Sequence, residues 1–187
     1  MNNIEDSIIK KMSASKTPTN ADIEAWGKIA EEVIIEFLHI ISGMRVRHAT
    51  PEEDSGKHMI IKDAAIDAVG YLDEIPAIGF QITTAISKGA REEKTRDLMA
   101  RPFIRLPEMT PKDTAIPRVI VFVDREEIIG YISDHDLKKH PRIIDQVVES
   151  NINSLKLDLM KTKNPREQEL IEKLMLVFTR GKTQIQL

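Results

Sequence analysis

The sequence predicts an α/β fold in which helices flank a mixed central sheet and a pair of helices follows at the C-terminal end. Three observations support this class. Residues 21–42 carry a long amphipathic helical pattern, apolar runs between residues 44 and 82 are typical of strands, and residues 118–123 form an apolar run typical of a central strand. The predicted order is helix, three strands, helix, strand and two final helices.

The 187-residue chain is long enough to bury a full hydrophobic core, and with 41% hydrophobic and 30% charged residues it has an ordinary globular composition. We expect a loosely attached segment at 1–19, an α/β core at 20–132 and C-terminal helices at 133–187 that pack on the core. The net charge of −3 does not favour nucleic acid. Backbone recognition needs only a local basic strip, however, so a nucleic-acid partner stays open.

The composition also limits the chemistry of the chain. It contains no cysteine, which excludes disulfides, thiolate zinc sites and a cysteine nucleophile. The kind of metal site that the composition still allows is one with oxygen ligands. No run of 18 apolar residues is present, and the first residues lack the apolar core of a secretion signal. We therefore expect a cytoplasmic protein without a membrane partner.

The helix at 21–42 is the longest predicted element. Asn20 is a reasonable N-cap, and Gly43 is expected to end the helix. Glu31 has apolar residues three, four and seven positions after it, which places it nearer the buried side than Glu32. Its carboxylate is either part of a site or, as is common for glutamate on helices, solvated.

Residues 44–49 alternate apolar and basic side chains and predict the first strand. A turn-rich loop follows and contains Asp54, which is a metal ligand, a residue that holds the water shell of a metal, or a loop cap. Residues 58–62 resume an apolar strand. Asp63 then lies four residues before Asp67, on the same face of an extended strand, and competes with it as a metal ligand.

Residues 66–72 and 75–83 predict a hairpin whose strands carry three polar side chains, Asp67, Gln81 and Thr83. Burial of an aspartate ion in an apolar strand costs several kcal/mol unless the group is paired, hydrogen-bonded or bound to a metal. The presence of Asp67 therefore indicates a specific role, and this hairpin is the part of the chain where chemistry is expected.

The length of the hairpin turn decides whether these polar groups meet. A two-residue turn at 73–74 places Asp67 opposite Phe80, whereas a three-residue connection places it opposite Gln81 with Thr83 alongside. Pro76 is awkward in a tight ladder beside the turn. We therefore predict the three-residue connection and expect the Asp67 and Gln81 side chains on one face.

A further helix is predicted from about residue 87, and it carries Lys88, Arg91 and Lys94 among several acids. Mixed charges of this kind are common on a solvated helix face with ion pairs. The alternative is an edge that contacts phosphates beside a metal site, with Lys88 supplying an ammonium group.

The second half of the chain is predicted from its prolines and apolar stripes. We expect a proline-broken loop at 102–117, strands at 118–123 and 128–132, and helices at 142–159 and 165–178, the last of them ended by Gly181.

The predicted helix WGKIAEEVIIEFL carries an acid, and Asp54, Asp67 and Gln81-Ile-Thr83 follow on successive elements. Over roughly residues 21 to 125, this pattern resembles the PD-(D/E)XK nuclease superfamily. This resemblance implies a restriction-endonuclease-like fold. It assigns Glu31 as the helix acid, Asp67 as the metal-bridging aspartate and Gln81 as the first position of the last motif. Thr83 stands where the family most often has a lysine.

The resemblance implies metal-dependent hydrolysis of phosphodiester bonds in nucleic acid, with DNA expected before RNA. The implied cofactor is Mg²⁺ or Mn²⁺, weakly bound because Gln81 is uncharged. The alternative is a catalytically degenerate nuclease-like fold that serves as a nucleic-acid-binding or structural subunit, and a homodimer stays open. The expected catalytic residues are Glu31, Asp67, Gln81, Thr83 and Lys88, the metal ligands are Asp67, Gln81 and Asp54, and the nucleic-acid contacts are Lys88, Arg91 and Lys94.

Overall fold

The computed structural model describes residues 3–14, 18–49, 66–84, 87–104 and 115–186. These residues form six α-helices, one short 3₁₀ helix and a five-stranded sheet. The helices are α1 (Asn3–Ala14), α2 (Asn20–Ser42), α3 (Lys88–Ala100), α4 (Arg125–Asp134), α5 (Pro141–Lys161) and α6 (Pro165–Gln186). The strands are β1 (Arg45–His48), β2 (Ala68–Leu72), β3 (Ile75–Thr83), β4 (Phe103–Ile104) and β5 (Ile116–Phe122).

The sheet is mixed and has the strand order β1-β2-β3-β5-β4. Strands β1, β2 and β3 are antiparallel neighbours, β5 runs parallel to β3, and β4 is antiparallel to β5. The α/β class and the mixed sheet predicted from the sequence are confirmed. Strand β4 was not predicted because its two residues lie in the proline-broken stretch. Since β3 and β5 are parallel, their carboxyl ends meet at one end of the sheet.

Helix α2 begins at Asn20, one residue earlier than predicted, so Asn20 is not the cap. Thr19 is the N-cap and forms a capping box with Asp22, in which each side chain bonds the backbone N–H of the other residue. Gly43 ends the helix in the left-handed conformation at φ +67°, as predicted. Helix α1 packs on α2, buries Met12 and forms an ion pair between Lys11 and Asp22.

The prediction of a three-residue hairpin connection is wrong, although the register that it was meant to produce is present. Leu72 pairs with Ile75 across a two-residue turn whose residues, 73 and 74, both have positive φ. The ladder then shifts by one residue, and Ala77 is the extra residue of a β-bulge between the pairs Tyr71–Pro76 and Gly70–Ile78. Beyond this bulge Ala68 pairs with Phe80, so Asp67 lies next to Gln81 in register.

The two faces of the sheet bury apolar clusters of different size. The consecutive residues Ala68 and Val69 belong to different clusters, because successive side chains of a strand point to opposite faces of the sheet. The larger cluster joins the sheet to α2, α4, α5 and α6, and the smaller one includes Ile66, Tyr71 and Ile104. Helix α3 lies on the face of the smaller cluster, where Asp97 bonds Arg118 of β5.

The predicted strand at 128–132 is wrong, because these residues lie within helix α4. Ile128, Tyr131 and Ile132 are buried at a spacing of three and four residues, which is a helical stripe. A short apolar run fits either structure, and burial on one side of the chain decides for the helix.

The expectation that Gly181 ends the last helix is also wrong, since α6 continues to Gln186. Gly181 is buried where α6 crosses α2. A Cβ at this position would lie 1.5 Å from the carbonyl oxygen of Ile41. The glycine is therefore needed for the close approach of two backbones rather than for a helix stop.

Helix α5 covers the edge of β5 that β4 leaves open. Its polar residues Gln146, Ser150 and Ser154 recur every four positions and accept hydrogen bonds from backbone N–H groups of Asp124, Phe122 and Ile120 in turn. These side chains pair the N–H groups in place of a neighbouring strand, which prevents the edge from pairing elsewhere. No helix in the described part of the chain is long and apolar enough to cross a membrane.

Candidate functional site

Asp67 lies at a bend immediately before β2, where its carboxylate bonds the neighbouring strand. Its Oδ2 atom accepts a hydrogen bond from the backbone N–H of Ile82 at 2.6 Å, and its own N–H donates to the carbonyl of Phe80 at 2.8 Å. The carboxylate thus extends the pairing of β3 past the start of β2. A stability role accounts for part of the need for an acid at this position.

Gln81 points toward α3 and contacts a buried arginine. Arg118, which is fully buried, donates from one Nη atom to the Gln81 Oε1 atom at 2.7 Å and to a carboxylate oxygen of Asp97 at 2.5 Å. The amide oxygen predicted as a metal ligand therefore has a cationic partner instead. The second Nη atom and the Nε atom of Arg118 have no hydrogen-bond partner in the described part of the protein.

A buried acid, Asp158 of α5, lies near this arginine. Its side chain is fully buried and neither carboxylate oxygen has a hydrogen-bond partner among the residues described. Burial raises the pKa of Asp158 to about 8, and the positive charges of Lys161 and Arg118 oppose that rise. A polar cluster therefore lies beneath α3, in which Arg118 and Asp158 are buried, Gln81 is half-buried and Asp97 is 42% exposed.

Glu31 and Thr83 line one cavity at the end of the sheet. This cavity has a volume of about 410 Å³ and lies between α2, the carboxyl end of β3 and the first residue of α4. Its wall also includes Trp26, Thr84 and Arg125. Ile82, whose backbone N–H bonds Asp67, contributes to the same wall. The acids on α2 and before β2 therefore flank the last residues of β3.

The basic residues predicted on α3 have different surroundings. Lys88 is exposed, with Nζ 3.7 Å from a carboxylate oxygen of Glu92. Arg91 donates to Asp124 at 2.7 Å, and its guanidinium carbon lies 5.4 Å from the ring centre of Phe122. Lys94 is half-buried. Because α3 begins soon after β3 ends, Lys88 lies near the same end of the sheet as the cavity.

Two predicted acids, Asp54 and Asp63, lie outside the described residues. Among the residues described, no group of three or more histidine, aspartate or glutamate side chains is arranged to hold a metal ion. Within that part, Asp67 and Gln81 are adjacent in register but bond different partners.

Sequence reasoning missed Arg118 and Arg125. Arg118 is a charged residue within the apolar run RVIVFV, the same signal that drew attention to Asp67. Arg125 lies three residues after the carboxyl end of β5, the end at which parallel strands of open sheets commonly bind ligands. No family model, curated protein or solved structure matches this chain.

Proposed function

We propose that the chain is a metal-dependent nuclease-like protein that hydrolyses phosphodiester bonds in nucleic acid, with DNA as the first substrate to test. The observation that carries this proposal is the position of Asp67. Its carboxylate is bonded to the backbone between Gln81 and Thr83, which adjoins the cavity that Glu31 lines. An acid on the first long helix, one before the second strand and Gln-x-Thr in the third strand agree with the arrangement that the resemblance implies.

The chemistry in this proposal requires Mg²⁺ or Mn²⁺. Asp67 and Glu31 are the described carboxylates that would hold the ion, directly or through water, since Mg²⁺ commonly keeps several waters. The ion would acidify one of these waters and neutralise charge on the phosphate. Thr83 at the end of β3 and Lys88 at the start of α3 would orient that water and the substrate.

A second candidate, a degenerate nuclease-like fold that only binds, is favoured by two observations. Arg118, which also donates to Asp97, donates a hydrogen bond to the Gln81 side-chain oxygen, and Thr83 offers no ammonium group to activate water. In this reading the same end of the sheet contacts nucleic acid without cleaving it.

The test is a cleavage assay on single- and double-stranded DNA and RNA with Mg²⁺, Mn²⁺ or EDTA. Asp67→Asn is the informative variant, because an amide oxygen still accepts the hydrogen bond from Ile82 while the charge needed for the metal is lost. We expect metal-dependent cleavage by the wild type and a loss of at least about 100-fold in Asp67→Asn. The control is Asp73→Asn, which removes an exposed acid at the opposite end of the hairpin.

Thr83→Lys tests the missing family lysine. At an intact metal site the added ammonium is expected to raise the cleavage rate. If neither the wild type nor Thr83→Lys shows metal-dependent cleavage of any substrate, the hydrolase proposal is wrong and the binding fold remains.

A further inference from the structure

The cavity at the carboxyl ends of β3 and β5 contains a cation that has no role in the fold described so far. Arg125 lines this cavity and is a quarter exposed. Its Nε atom is buried and has no hydrogen-bond partner within the described ranges. Its ion pair with Glu126, whose side chain is 70% exposed, is long at 3.8 Å. A buried donor without a partner destabilises the fold, so its presence calls for an explanation.

The same wall holds other hydrogen-bond donors. Trp26, which is 3% exposed, also has an indole N–H without a partner among the residues described. Thr83 and Thr84 contribute hydroxyl groups, which both donate and accept hydrogen bonds. The volume of about 410 Å³ lies within the range of about 300–1,000 Å³ that is typical of small-ligand sites.

We infer that Arg125 binds a phosphate of the nucleic-acid backbone in this cavity and supplies the positive charge that Thr83 cannot. Arginine suits this role because its planar fork donates two parallel hydrogen bonds to a phosphate. The inference rests on the proposed nucleic-acid function and names a residue that binds the substrate.

The acid in the cavity predicts how metal affects this binding. Glu31 faces the same space, and its negative charge repels a phosphate when no metal is present. With a metal bound near Glu31, the phosphate oxygens have a cation on each side. Binding in EDTA should therefore be weakened by Glu31 and strengthened by Arg125.

The test measures binding of fluorescent DNA and RNA oligonucleotides in EDTA over a range of salt concentrations, so that it does not depend on cleavage. We expect Arg125→Gln to weaken binding about tenfold and to lower the slope of log K against log salt by about 0.7–0.9, the loss of one phosphate contact. Arg125→Lys keeps the charge and should keep that slope. Glu31→Gln should bind more tightly than the wild type.

The matched control is Arg180→Gln, which removes an exposed arginine on α6 and should change neither quantity. Melting temperatures of all variants show whether each is folded. If the wild type binds without cleaving and Arg125→Gln weakens that binding, the inference stands while the hydrolase proposal fails. If the wild type cleaves and Arg125→Gln binds and cleaves equally well, the inference fails and the hydrolase proposal stands.

Three further results overturn the inference. The first is a wild type that binds no oligonucleotide. The second is an Arg125→Gln variant whose binding weakens with an unchanged salt slope, which indicates a structural effect. The third is a Glu31→Gln variant that binds no more tightly, which removes the cavity as the location of the phosphate.

Discussion

Replacement of Gly181 by alanine tests the packing of α6 on α2. The added Cβ would lie 1.5 Å from the carbonyl oxygen of Ile41 and 2.7 Å from its carbonyl carbon. Ordinary contacts of this kind begin at 3.4 Å, so the two helices must separate by about 1.9 Å. Both atoms of Ile41 belong to the backbone of a capped helix and cannot rotate away as a flexible side chain would.

The cost follows from the side chains that this separation uncovers. Ile171, Leu174 and Phe178 of α6 are fully buried in the main core. A gap of 0.5–1 Å already loses a quarter to a half of the dispersion energy of a contact. We expect Gly181→Ala to lower the free energy of unfolding by about 3 kcal/mol or more, at the upper end of overpacking effects. The melting temperature should fall by roughly 6–12 °C.

Urea unfolding followed by circular dichroism measures this change, and Gly27→Ala is the matched control. Gly27 is also inside a helix, but a Cβ there would meet no atom within 4 Å. Alanine at this position should therefore raise the free energy of unfolding by about 0.5–1 kcal/mol through its higher helix propensity. A Gly181→Ala variant within 1 kcal/mol of the wild type would refute the close approach of α6 to α2.

Two further predictions concern pH and the hairpin turn. The pKa of Asp158 in the folded protein, about 8, exceeds its ordinary value of 3.8, so its contribution to stability is complete below pH 4 and is lost as the pH rises through 8. Between pH 5 and 8, Asp158→Asn should reduce the fall in the free energy of unfolding by at least about 1 kcal/mol. Asp73→Asn, which replaces an exposed acid, should leave that fall unchanged. If urea unfolding gives the wild type and Asp158→Asn the same dependence of unfolding free energy on pH, this role of Asp158 is contradicted. Glu74 has φ +64°, so Glu74→Gly should raise stability by about 0.5–1 kcal/mol, even after loss of its exposed ion pair with Arg45; a lower melting temperature would show that the turn conformation is wrong.

The elements with long periodic patterns were the predictable part of the fold. Helices α2, α5 and α6 have apolar stripes that only a buried face explains. Each was predicted in its place in the chain, and the differences from the prediction lie at the helix ends. The run at 128–132 was too short for periodicity to separate strand from helix. The helical structure of these residues depends on how α4 packs against the rest of the fold, and the local sequence does not contain that information.

Gly181 and Ala77 show why single residues were harder to interpret. A glycine late in a helical pattern is most often a stop, but here the nearby backbone of α2 requires it. The extra residue of the hairpin was inferred from Pro76, which is awkward in a tight ladder beside the turn, but it was placed in the turn. The structure places it in a bulge at Ala77, which a sequence pattern does not distinguish from a longer turn.

The sequence indicated which polar residues to consider as a site, but not their contacts. Polar residues in apolar strands indicated the end of the sheet where Asp67, Gln81 and Thr83 lie. Their partners come from residues far away in the sequence, such as Arg118, which is 37 positions from Gln81. Such pairs depend on the order of strands in the sheet, which local patterns do not determine.

The contact between Arg118 and Gln81 also limits how any metal is bound. For the Gln81 oxygen to bind Mg²⁺, it must first leave a partly buried charge-assisted hydrogen bond, which is worth about 1.5–3 kcal/mol. That cost lowers metal affinity by roughly ten- to hundredfold relative to a site in which this oxygen is already available. Arg118 would keep its ion pair with Asp97, so the fold need not open for the exchange. A metal held first by the carboxylates of Asp67 and Glu31, with Gln81 left on Arg118, avoids this cost and is therefore the arrangement that the structure favours if the protein is a hydrolase.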